Sequence, residues 1–322
     1  MKKIVANIKD IMGIGVAFLV IFLGLCIMSD TFFTVGNIIT VLRTISVNAI
    51  LSFGMTFIII GGGIDLSVGS VMAFTSVMCA VFMEKAGLGI SLSILCTLLI
   101  GTAIGTVNGF IITKMKMLPF ITTLGISYIV RGITRVITNS KPITVSDESF
   151  YTLGNGYLGF LPLPVVYMFV IFLILSTVLY KSRYGRKLYA VGGNEQTAKF
   201  SGINVERTRM IAYALQGMLA AVAGIIYCSR FFSGQPTIGT DAEMDAIAAT
   251  ILGGTSFSGG IGRLGGTLVG ALVLGILNNG LNLLGVGSYW QYVARGIIII
   301  AAVFLDVVKN AGRLNRKKKV IA

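Results

Sequence analysis

The sequence predicts an all-α, polytopic membrane bundle of about ten transmembrane segments, and three observations carry that expectation. Hydrophobic residues make up 55% of the 322-residue chain and charged residues only 12%, with a mean hydropathy of +0.90, outside the range of ordinary soluble domains. Apolar runs near the length of one bilayer crossing, roughly 20 residues for a hydrocarbon core about 30 Å thick, recur along the chain. The 26 Lys and Arg, set against 12 Asp and Glu, gather in the connectors and at the chain ends instead of on a soluble face. That placement reads as membrane orientation, so no nucleic-acid partner is expected.

In order, the apolar segments fall roughly at 11–28, 46–62, 68–83, 89–112, 118–138, 163–180, 209–229, 243–262, 265–284 and 289–308. Lys2, Lys3 and Lys9 precede the first segment and no small-residue cleavage site follows it, so a retained helix is expected. The third and eighth are interrupted by glycine or small polar residues and are expected to be short, broken or re-entrant helices. Gly101 with Gly105 in the fourth, and Gly266 with Gly270 in the ninth, have the small-xxx-small spacing that lets helix backbones touch. Each pair is followed by Asn-Gly, at Asn108 and Asn279, and later by Arg-Gly-Ile, at Arg131 and Arg295. This echo suggests two related halves, an arrangement frequent in transporters. Arg131 and Arg135 share one helical face of the fifth segment, where snorkelling to the interface competes with contact to a partner or to lipid phosphate.

Charge orients the bundle. The connector 181–209 has Lys181, Arg183, Arg186, Lys187, Lys199, Arg207 and Arg209 against Glu195 and Glu206, and should be cytoplasmic. Lys114 and Lys116 mark another inner connector, and Arg313, Arg316, Lys317, Lys318 and Lys319 mark an inner C-terminus. An inner N-terminus and an even span count satisfy all three, and leave Asp147, Glu148, Asp241, Glu243 and Asp245 in outer connectors.

Catalytic chemistry is not expected. The chain has no histidine, its four cysteines lack CxxC spacing, and no nucleophile, base and orienting partner can be assembled, so neither a metal site nor a catalytic residue is expected. No GxxxxGK[ST] loop occurs, so this chain does not hold ATP by that device.

Two glycine clusters stand out. Gly61, Gly62 and Gly63 can end one helix, and Asp65 or Ser67 can accept the free N-H groups that begin the next. An acid within a membrane span costs about 2.5 to 3.5 kcal/mol on insertion scales and is often retained for function. Asp65 is therefore read either as a cap or as a contact to a hydroxyl of a transported substrate. Gly253 and Gly254 mark a second break, either a transporter-type break beside the path or a plain loop. In the basic connector, Asn194 suits an N-cap, Glu195 a first turn and Gly202 the position past a helix end. A helix of about seven residues, about 10 Å long, is expected there. So short a helix needs a brace, either the chain's own membrane domain or a separate protein. A solvated loop that only sets orientation is the plainer alternative.

The stretches "SVNAILSFGMTFII", "GGGIDLSVGS", "GGNEQTAKFSGINV", "QPTIGTDAEMDAIAATILGGTSFSGGIGRLGGT" and "LNNGLNLLGVGSYW" occur in that order over nearly the whole chain. Together they resemble the membrane subunit of bacterial monosaccharide ABC importers, nearest the ribose-type permeases. The resemblance implies one permease domain over 1–322 with the large-type ABC importer permease fold, placed in the bacterial inner membrane. It also implies a second permease copy, a cytoplasmic ATPase of two domains that carries ATP and magnesium, and a periplasmic or lipid-anchored sugar-binding protein. Gln196-Thr197-Ala198 with Gly202 is similar to the EAA-xxx-G coupling segment of importers; glutamine stands where that signature has glutamate, and Glu195 is adjacent. The expected coupling set is Asn194, Glu195, Gln196, Thr197, Ala198 and Gly202. Asn48, Asn108, Asn278, Asn279 and Asn282 are candidates to line a path for hydroxylated cargo, with bonding between helices as their other reading. Three rivals remain: a branched-chain amino-acid-type ABC permease; an ion-coupled transporter, for which paired intramembrane acids would speak and Asp306 is a poor candidate; and a membrane-bound structural or assembly protein.

Overall fold

The computed structural model describes residue 15, residues 18–301 and residues 303–304. Its helices are α1 (Phe18–Met28), α2 (Val35–Ile60), α3 (Val68–Glu84), α4 (Ile90–Lys114), α5 (Pro119–Thr138), α6 (Glu148–Asn155), α7 (Leu163–Lys181), α8 (Arg183–Gly193), α9 (Glu195–Phe200), α10 (Val205–Arg230), α11 (Ala242–Leu252) and α12 (Leu264–Leu283). A further helix, α13, covers residues 288–301. Among the described residues six helices, α2, α4, α5, α7, α10 and α12, are long and apolar enough to cross a membrane, while α1 and α3 are apolar but shorter. The expected segments at 11–28 and 289–308 run partly outside the described residues, where Lys2, Lys3, Lys9, Asp306 and the basic C-terminal tail also lie.

Two short ribbons accompany the helices of the all-α bundle. Strand β1 (Ile143–Thr144) pairs antiparallel with β4 (Ser233–Gly234), and β2 (Tyr157–Leu158) pairs with β3 (Leu161–Pro162). Both ribbons belong to the connectors at the end of the bundle where α5 finishes and α7 begins. Helix α2 also begins well before residue 46. Thr34 Oγ1 accepts from Asn37 N-H at the helix start, and Asn37, Thr40, Arg43 and Thr44 make its first turns too polar to register as an apolar run.

Burial separates inner from outer helices. The most apolar windows of α2 and α10 are 61% and 67% buried, against 22–28% for α4, α5 and α7. The outer three present Leu95, Leu99, Phe120, Ile129, Leu173 and Ile174 outward, a surface suited to lipid. Small residues bring helix pairs together as expected. A Cβ on Gly101 or Gly105 would collide with the backbone of α10 at Gly217 or Tyr213, and one on Gly266 or Gly270 with the backbone of α11 at Gly253 or Ala249. Hydroxyls add ties between helices: Thr56 Oγ1 lies 2.7 Å from Thr267 Oγ1, and Thr250 donates to Ser52 O at 3.1 Å.

Candidate functional site

Where α7 ends, capping residues turn the chain. Ser182 Oγ accepts from Gly185 N-H at 3.1 Å, Asn194 Oδ1 from Thr197 N-H at 2.9 Å, and Asn204 Oδ1 from Arg207 N-H at 2.8 Å. Between the last two lies α9, six residues long, with Gly202 beyond its end at φ +74°. A left-handed residue there is what a helix C-terminus commonly needs, and glycine reaches it without strain. Ala198 packs with Val191, Ile203 and Val205, so the chain's own domain supplies a brace. The opposite side of α9, with Gln196, Thr197 and Phe200, stays exposed.

Glu195 and α10 carry a second tie. Glu195 Oε2 is 2.8 Å from Arg209 Nη1, and Glu195 Oε1 is 2.7 Å from Lys199 Nζ within α9. The Lys199 hydrogen bond is the largest influence holding the Glu195 carboxyl below its ordinary range; burial opposes it, and the Arg209 charge and hydrogen bond add to the lowering. The same Arg209 donates from Nε to Gly61 O at 2.9 Å, at the end of α2. One turn along α10, Tyr213 Oη donates to Ile64 O at 3.0 Å. A Cβ on Gly63 would run into the Tyr213 hydroxyl, so the absence of a side chain there makes room for this approach. A cavity of about 400 Å³ opens beside these groups, lined by Gly62, Lys116, Glu195, Lys199, Glu206 and Arg209 among others.

Gly62 takes φ +77°, and the chain runs back into the bundle to start α3. Asp65 is buried, and its Oδ1 accepts from Ser67 N-H at 2.8 Å and from Ser67 Oγ at 2.6 Å. Ser67 occupies the N-cap position, yet its side chain caps no N-H of α3. Its Oγ instead accepts from Asn108 Nδ2 of α4 at 2.8 Å. Leu66 N-H donates to Thr123 Oγ1 of α5 at 3.0 Å. The motif therefore joins α2, α3, α4 and α5 inside the protein.

The second break converges on the same region. Helix α11 stops at Leu252, and Gly254 turns the chain at φ +85°. Gly260 N-H then donates to Ile60 O at 2.9 Å, and Tyr189 Oη of α8 donates to Gly262 O at 2.7 Å. Gly192 lies against both Ile60 O and Gly260 N, with no room for a Cβ. The segment after α11 is thus held between α2 and α8.

The five candidate path asparagines do not form one cluster. Asn108 joins the Asp65 turn. Asn279 exchanges hydrogen bonds with Asn37 of α2 at 2.8 and 3.1 Å. Asn282 Oδ1 accepts from Gln291 Nε2 at 2.9 Å, Asn278 Oδ1 accepts from Arg295 Nε at 3.4 Å, and Asn48 is a half-buried residue of α2. One expectation about charge changes. Arg131 does not snorkel: its guanidinium donates to Ile238 O at 2.6 Å and to Pro236 O and Gly239 O at 3.3 Å. The helix expected to start near Glu243 is α11, with Glu243 and Asp245 in its first turn. Glu243 lies beside Gly69 of α3, and Asp245 faces Arg295 at 3.9 Å.

Sequence reasoning did not single out Arg209, Tyr213 or Gly192. The available signals were local ones: two hydrogen-bonding side chains one turn apart at the start of a span, and a Gly-Gly pair directly before the Asn194 cap.

Residues 37–303 match the family described as branched-chain amino acid transport system / permease component. The ribose import permease protein of Bacillus subtilis (strain 168) is 47% identical over 287 residues, 88% of this chain and 89% of that protein. The ribose import permease protein of Escherichia coli (strain K12) is 45% identical over 301 residues, covering 92% and 93%. The L-arabinose transport system permease protein of the same strain is 38% identical over 315 residues, covering 95% and 93%. No solved structure matches the chain. A family match over most of the length and identities of this size settle the membership: the chain belongs to the branched-chain amino acid transport system / permease component family.

Proposed function

We propose that the chain is the translocation subunit of an ATP-binding-cassette importer that carries a monosaccharide, ribose or a related pentose or hexose, across the bacterial inner membrane. The single observation that carries the substrate class is the 45–47% identity to ribose import permeases over about nine-tenths of each chain. The family description names branched-chain amino acids, and that cargo is the second reading. It is less well supported, because relatives at 36–38% identity bear arabinose and galactose names.

About ten membrane-embedded segments are read here: the six long helices together with α1, α3, α11 and α13. The chain ends lie in the cytoplasm in this reading, on the side of α8 and α9. Two copies form the pathway, a two-domain ATPase binds ATP and magnesium below it, and a periplasmic or lipid-anchored protein delivers the sugar. Translocation leaves the sugar chemically unchanged. The exposed face of α9, with Gln196 and Thr197 outward and Ala198 buried, supports a docking role for Asn194, Glu195, Gln196, Thr197, Ala198 and Gly202. A helix so placed would convert closure of the ATPase into movement of the spans.

The test is biochemical. Purified complex of this permease with its ATPase and binding protein should hydrolyse ATP faster when the binding protein is loaded with ribose. Stimulation by leucine-loaded binding protein and not by sugar would favour the amino-acid reading.

A further inference from the structure

We propose that Arg209 is the positioning residue that makes α9 and the glycine turn after α2 move as one body, so that a load on α9 reaches the buried Asp65–Ser67–Asn108 network. The proposal rests on the importer reading above, and names the residues through which the inner face of the subunit works the bundle.

Geometry supplies the first reason. A guanidinium presents several donors in a fixed fork and can hold two acceptors at once. Arg209 uses Nη1 on the Glu195 carboxylate of α9, at 2.8 Å, and Nε on the Gly61 carbonyl, at 2.9 Å. The two acceptors come from distant parts of the sequence: Glu195 is 14 positions from Arg209 and Gly61 is 148 positions from it. The Arg209 side chain is only 24% exposed, so water screens this pair less than a free surface ion pair.

The second reason is what each end is attached to. Helix α9 is six residues long and buries only Ala198, so the Glu195–Arg209 pair is a large part of its attachment to the bundle. The Glu195–Lys199 pair lies within α9 and fastens it to nothing else. At the other end, Gly61 O belongs to a turn that α10 grips twice, through Arg209 at Gly61 and Tyr213 at Ile64. Asp65 follows at once, and its bonds to Ser67, with the Asn108 bond to Ser67, carry the connection into α3 and α4. Every step from α9 to α4 is a hydrogen bond, an ion pair or a backbone link, a contiguous route of the kind that carries coupling.

Full complex of permease, ATPase and ribose-loaded binding protein in proteoliposomes provides the test, with two readouts. One is ribose translocated per ATP hydrolysed. The other is hydrogen exchange of the amides at 64–68 with and without the ATPase, which does not depend on the identity of the cargo. Wild type should show a change in exchange on ATPase binding. Arg209→Gln and Glu195→Gln should each abolish that change and lower the ribose-to-ATP ratio at least tenfold while hydrolysis continues. Arg209→Lys, which reaches one acceptor at a time, should not restore the ratio. Lys114→Gln, which breaks the Lys114–Glu206 pair on the same face, should leave both readouts within twofold of wild type. Glu195→Gln alters only the α9 side of the pair and decides the matter should Arg209→Gln fail to assemble. A wild-type ratio and wild-type exchange response in Glu195→Gln would overturn the proposal. An intact exchange response in a wild-type complex that moves no ribose would instead refute the cargo reading and leave the link standing.

Discussion

Gly260 donates its backbone N-H to the carbonyl of Ile60 at 2.9 Å, tying the segment that follows broken helix α11 to the last residue of α2. Gly192 at the end of α8 covers this bond, where any Cβ would overlap Ile60 O and Gly260 N. Gly192→Ala is therefore expected to force α8 away and to cost about 1–3 kcal/mol, the usual range for overpacking. Thermal unfolding in detergent measures it. Gly193→Ala is the control, because nothing lies within 4 Å of its Cβ position. Equal melting temperatures for the two variants would show that the close approach is not needed.

Asp65 is expected to be a structural acceptor. Asp65→Ala leaves the Ser67 N-H and hydroxyl without their buried acceptor and should cost about 1–3 kcal/mol. Asp65→Asn keeps an oxygen able to accept both bonds and should lose clearly less. Normal melting of Asp65→Asn with lost sugar uptake would move Asp65 from the cap to the path.

Arg131 offers a test of the inward segment at 236–239. Arg131→Met removes a charged donor from three carbonyls, and a hydrogen bond to a charged group contributes about 1.5–3 kcal/mol. The variant should melt earlier and become sensitive to protease between residues 231 and 241. Arg131→Lys should fall between it and wild type. Unchanged proteolysis in Arg131→Met would remove the strut role.

Much of this was legible in the sequence, for identifiable reasons. Apolar runs mark spans because each must cover a fixed thickness of hydrocarbon. The α9 cap was readable because Asn194 and its partner Thr197 are three residues apart. The glycine breaks were readable because positive φ selects glycine, as Gly62 and Gly254 show. The polar start of α2 was missed because hydropathy does not see a helix whose first turns contain Asn37, Thr40 and Arg43. The roles of Arg131 and Arg209 were hidden because their acceptors are backbone carbonyls, which carry no residue identity, at 105 and 148 positions' distance. The asparagines gave a pattern, while their partners Asn37, Gln291 and Arg295 became visible only in three dimensions.

The acid response of α9 follows from Glu195. Its carboxyl is held below the ordinary carboxylate range, chiefly by the Lys199 hydrogen bond and, beyond the opposing effect of burial, by Arg209. A lowered folded value means that its stabilising contribution is present above the unfolded value and is lost as pH falls through the folded one. Attachment of α9, followed by amide exchange at 195–201, should be constant from pH 8 to about pH 5 and loosen only below the ordinary glutamate range near 4.3. In Glu195→Gln the loosening should already be present at pH 7. A transition near neutral pH in wild type would contradict this assignment.

The most direct measurement is uptake by sealed vesicles. Vesicles containing this chain with its ATPase, ATP inside the compartment that corresponds to the cytoplasm, and ribose-loaded binding protein on the other side should transport ribose towards the ATP. Vesicles containing this chain alone should show no accumulation under a proton or sodium gradient. Gradient-driven accumulation by the chain alone would contradict the reading of this protein as a gate worked by a neighbouring motor.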